Sequence, residues 1–120
     1  MPIYHDRVKD TTTSTGTGNL TLSGTAPTSF VNFFTAFGLN NPFIYCEVDP
    51  ASGLWETGTG YLTATTTMVR DSVFEGSSGA GVFVNFTAGT KDVFCTLAAH
   101  AVEDFDSGAI TAKINRLALP

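Results

Sequence analysis

Residues 81–98, GVFVNFTAGTKDVFCTLA, place two alternating apolar runs on either side of a short turn at Ala88-Gly89. Side chains of an extended chain alternate between faces, so Val82, Val84 and Phe86 share one face of a first strand. Val93, Cys95 and Leu97 share one face of a second. The stretch therefore reads as a β-hairpin whose six apolar side chains hold the core. It contains no grouping of residues that could carry out a reaction.

Working outward, the segment Gly76-Ser77-Ser78-Gly79-Ala80-Gly81 has the glycines of a phosphate-cradling loop. No lysine follows it and it leads into a strand rather than a helix N-terminus, so it reads as a turn. Before it, Phe43–Asp49 (FIYCEVD), Leu54-Trp55-Glu56, Tyr61-Leu62-Thr63, Thr67–Arg70 and Val73-Phe74 read as a meander of short strands. Asp49-Pro50-Ala51-Ser52-Gly53 supplies turn chemistry between the first two. The one helical signal follows Pro27, where Phe30, Phe33, Phe34 and Phe37 fall at i, i+3, i+4 and i+7. This stripe predicts a helix over about 29–37, capped by Thr28 or Ser29, ended by Gly38 and acting as a core plug. Residues 6–25, DRVKDTTTSTGTGNLTLSGT, read as two extended segments joined by a turn around Gly16 and Gly18. The tail fits a strand over Ala109–Leu117 or an arm that packs on another subunit. The expectation is an all-β chain, a small antiparallel β-sandwich or barrel with one short helix, forming one domain over 1–120 with extended arms at 1–18 and 100–120.

The length of 120 residues suits a single core. Hydrophobic residues make up 42% and charged residues only 14%, where a soluble domain ordinarily carries about a quarter. Threonine and glycine fill the difference, giving a surface polar by hydroxyls rather than by charge, which suits a protein packed against neighbours. A net charge of −5 with only six Lys and Arg opposes a phosphate-neutralising surface, so no nucleic-acid partner is expected. No apolar run reaches the roughly 20 residues that span a bilayer, and MPIYHDRVKD lacks the apolar core of a signal peptide. No membrane partner is expected, and synthesis is expected in a cytoplasm.

Candidate chemistry is sparse. Cys46 and Cys95 lie in strand-like runs without CxxC spacing and read as buried thiols, with a disulfide open to them if their strands are neighbours. A hydrolytic triad would have to use His5 or His100, and neither sits in a persuasive arrangement; both read as surface histidines. His100, Glu103, Asp104 and Asp106 do not have the spacing of a calcium loop and read as a solvated acidic turn. No catalytic residue, metal or cofactor is expected. Trp55, Tyr45 and Tyr61 are the aromatic side chains that could stack on a sugar or a partner, provided that they are exposed.

The order of DRVKDTTTSTGTGNLTLSGT, a short aromatic helix, DPASGLWETGTGYL, MVRDSVFEGSS and FTAGTKDVFCTLAA resembles a family of small structural proteins of tailed bacteriophages and prophages. The resemblance covers about residues 6–99, and GTKDVF at Gly89–Phe94 is its most specific piece. It implies a virion protein without an active site, similar to capsid-associated, fibre or adaptor modules. It further implies a homo-oligomer, with a trimer as the first expectation, assembling with a major capsid protein or with tail and fibre proteins. Relatives of this kind run on into a longer variable region after His100, so an anchoring or surface-decorating module is expected here. A glycan-binding module for the host surface is the competing class.

Overall fold

The computed structural model describes residues 4–97. Its order of elements is β1 (Lys9–Thr12), β2 (Leu20–Thr21), α1 (Phe33–Phe37), β3 (Phe43–Val48), β4 (Trp55–Ala64), β5 (Thr67–Gly76) and β6 (Lys91–Cys95). The strands form one antiparallel sheet in the order β1-β6-β3-β4-β5-β2. The two outer strands meet where Thr12 bridges Leu22, and the Ser23 N–H donates to Thr11 O at 2.9 Å. The sheet is thus a nearly closed small barrel, as the strand pattern predicts. The expected strand Ala109–Leu117, the 100–120 arm, His100 and the acidic turn lie outside the described residues.

The meander is made by local chemistry. Asp49 accepts from the Ala51 N–H at 3.0 Å through its side chain and from the Gly53 N–H at 2.8 Å through its carbonyl, which turns β3 back into β4. Glu56, Gly58, Gly60 and Leu62 face inward along β4. Gly58 and Gly60 leave room there. A Cβ on Gly58 would lie 2.0 Å from Ser72 O, and one on Gly60 would lie 2.8 Å from Val69 O. The β4–β5 register shifts beside both glycines. Those bulges bend the long hairpin enough to curl the sheet.

The helix is shorter than its stripe predicts. Ser29 takes a φ of 70°, and Val31 is used as a parallel bridge to Val8, its N–H donating to Arg7 O at 2.7 Å. Residues committed to that bridge cannot be helical, so Asn32 becomes the cap and accepts from the Thr35 N–H at 2.8 Å. Gly38 ends α1 as expected, its N–H donating to Phe34 O. Phe33 and Phe37 plug the core, whereas Phe34 is exposed and Phe30 lies outside the helix.

The 81–98 hairpin does not form. Strand β6 exists, but it pairs with β3 on one side and β1 on the other, and, among the described residues, 81–86 make a single bridge, Phe86 to Gly16. Val84, Phe86 and Val93 are buried as expected, Cys95 is half-buried, and Val82 and Leu97 are exposed at 48% and 63%. Residues 8–18 are likewise barrel wall and loop rather than an arm, with Val8, Asp10 and Thr12 buried. Cys46 and Cys95 do lie on paired strands. Tyr45 stands opposite Cys95, however, so Cys46 points to the other face of the sheet, and parity forbids a disulfide.

Candidate functional site

The barrel interior has two unlike ends. At one end Phe43 packs against Phe33 and Phe37, with ring centroids 4.8 and 4.9 Å away, among Leu20, Leu62 and Met68. The other end is polar. Glu47 on β3 stands directly opposite Glu56 on β4, and both are wholly buried with Arg70 of β5 and Lys91 of β6 nearby. Side chains opposite one another on one face of a sheet lie about 5 Å apart, so two carboxyl groups share a small volume.

Their circumstances differ. Arg70 Nη1 donates to both Glu56 carboxyl oxygens at 3.0 Å, Tyr45 Oη donates to Oε2 at 2.5 Å, and the Val84 N–H donates to Oε1 at 2.9 Å. Arg70 also donates to the carbonyls of Gly16, Gly18 and Val84 at 2.9, 2.9 and 3.1 Å. The pair thereby fastens two loops, 13–19 and 77–90, across this end of the barrel. Lys91 Nζ donates to Thr87 O at 2.7 Å and holds the second loop again. Both Glu47 oxygens, by contrast, lack any hydrogen-bond partner among the described residues, as does Asp49 Oδ2.

The electrostatics follow from this arrangement. Burial pushes the Glu47 carboxyl up to about 8; the nearby Glu56 charge adds to the rise, while Arg70 and Lys91 oppose it. Burial, together with the Glu56 charge and the hydrogen bond to Glu56, also raises the Tyr45 phenol. Hydrogen bonds from Ser52 and Ala51 hold the Asp49 carboxyl below its usual range. In the closed barrel Tyr45, Glu47 and Glu56 are wholly buried.

Of the residues selected from the sequence, Trp55 begins β4 and is 38% exposed, and Tyr61 lies half-buried six residues further along the same outward face. Six residues of strand span about 20 Å, too far for one sugar ring to bridge. Tyr45 is a correction. It faces inward opposite Gly58 and is wholly buried, its hydroxyl donating to Glu56. It cannot touch a partner in the folded protein.

His5 is exposed at an open depression of about 710 Å³ that Cys95 also lines, and its Nδ1 lies 2.9 Å from Asp6 O. Burial pushes the Cys95 thiol up, the opposite of what a nucleophile requires. Among the described residues no cluster of His, Cys, Asp and Glu is arranged to hold a metal ion. The same residues contain no helix long and apolar enough to cross a membrane. The polar cluster itself was missed in the sequence. Its signal was charge inside apolar patterning: Glu47 within FIYCEVD, and Glu56 in phase with Gly58, Gly60 and Leu62.

No family model, curated protein or solved structure matches the chain.

Proposed function

We propose that this chain is a non-enzymatic structural component of a tailed-phage particle, a capsid-decorating or head-fibre-type protein that works as an oligomer, with a tail or fibre adaptor as the nearest variant. The observation that carries this is where the reactive side chains go. Glu56, Arg70, Tyr45 and Lys91 are spent inside the barrel on fastening strands and loops. The outer face of β4 offers instead Trp55, Thr57, Thr59 and Tyr61, a surface of hydroxyls and aromatic edges suited to repeated weak contacts. The resemblance of the Thr-rich start and of GTKDVF to virion modules points the same way.

Light scattering on the purified protein is expected to give a trimer, and mixing with particles lacking it is expected to restore its density in electron cryomicroscopy. A strict monomer that ignores particles would overturn the proposal. The partial exposure of Trp55 favours a second reading, a host-glycan contact. Reproducible signals on a glycan array, lost in a folded Trp55→Ala variant, would move the assignment to recognition.

A further inference from the structure

Arg70 and Lys91, which fasten the two loops, are cations that also act electrostatically on a second buried carboxyl, Glu47. Arg70 and Lys91 hold the carbonyls of Gly16, Gly18, Val84 and Thr87, while the buried Glu47 carboxyl has no hydrogen bond among the described residues. That division is stable only while Glu47 is uncharged. An ionised carboxylate buried opposite Glu56 would suffer like-charge repulsion and the full cost of desolvation. The cations that favour its charged form, Arg70 and Lys91, are already in use on the loops.

We propose that the polar end of the barrel is a proton-controlled clasp, in which protonated Glu47 leaves Arg70 and Lys91 on the loop carbonyls and loss of that proton draws them away and releases loops 13–19 and 77–90.

The surroundings single out Glu47 as the group that titrates. On its own strand and the following turn it has Tyr45, raised by burial, and Asp49, held low by its turn hydrogen bonds. Across β4 stands Glu56, from β5 comes Arg70, and from β6 comes Lys91. One strand further, in the same row through Val93, Asp10 has its oxygens engaged by Ser23 Oγ and by the N–H groups of Thr11 and Gly24. Burial places the Glu47 proton at about 8 in the closed barrel against 4.5 for an ordinary glutamate. An open state that lets water reach Glu47 therefore holds its proton less tightly than the closed one. Opening becomes easier as pH rises from about 4.5 and levels off above about 8.

Hydrogen exchange across this range tests the clasp, with intrinsic exchange divided out. The reporters are the N–H groups of Gly16, Val84 and Phe86, which bond to Phe86 O, Glu56 and Gly16 O. Their protection is expected to fall up to about tenfold per pH unit between 5 and 8, following one proton. Amides of the β3–β4 ladder should stay far better protected. Glu47→Gln, which keeps the shape and removes the proton, should flatten the loop response. In parallel, the infrared carbonyl band of a buried protonated carboxyl should disappear from the wild type as pH passes 8. Loop amides that exchange only at the rate of the ladder, an unchanged pH response in Glu47→Gln, or a Glu47 already ionised at pH 6 would each overturn the proposal.

Discussion

The two ends of this barrel are held by different physics. The phenylalanine end is a packed apolar plug in which α1 closes over Phe43, and its stability comes from apolar area removed from water and is indifferent to pH. The polar end has a core of the same depth built from Glu47, Glu56, Arg70, Tyr45 and Lys91, where every gain is offset by desolvation. What it adds is reach: one guanidinium holds carbonyls from two loops more than 60 residues apart in sequence, which no apolar side chain could do. The comparison teaches that the apolar end makes the barrel stable, while the polar end decides which loops close it.

Four measurements sharpen the contrast. Arg70→Met should be the most damaging change, costing about 3–5 kcal/mol by denaturant titration, because Glu56 is left buried without its counter-charge. Phe43→Ala should cost a comparable or slightly smaller amount, about 3–4 kcal/mol, through the cavity left between two rings. Its pH profile should run parallel to the wild type, whereas that of Arg70→Met should not. Glu47→Gln should change little at pH 4 and become progressively more stabilising relative to the wild type towards pH 8. The sign follows from linkage. A carboxyl whose proton is held more tightly when folded contributes fully below about 4.5, and that contribution is lost as pH climbs to about 8, a few kcal/mol in all. Asn32→Ala, which removes only the cap of α1, should cost about 1 kcal/mol at any pH. A Glu47→Gln barrel with the wild-type pH profile would erase the distinction between the two ends.

Much of the wall was legible because it is locally encoded. The Asp49–Gly53 turn, the β4–β5 meander and the stop at Gly38 each depend on residues within a few positions of one another. The 81–98 hairpin was misread for the opposite reason. Alternation showed correctly that Val84, Phe86 and Val93 face inward, but it carries no information about which strand lies alongside. The candidate site was less legible still. Tyr45 was a contact candidate only if exposed, and the β3–β4 register turns it inward opposite Gly58, while Glu47 and Glu56 looked like ordinary strand charges.

By itself, then, the sequence determined an all-β chain with one phenylalanine plug, its turns and the inward parity of its strands. Those features are settled by steric and hydrogen-bonding preferences that act over a handful of residues. Only the tertiary structure decided that β6 pairs with β3 and β1, that Cys46 and Cys95 face apart, and that two glutamates stand opposite one another inside the barrel. Closing a long loop costs only slightly more than closing a short one, so distant strands compete for β6 on nearly equal terms with the adjacent segment. The Glu47 proton is decided at the same level, because it depends on burial among groups brought together from four strands.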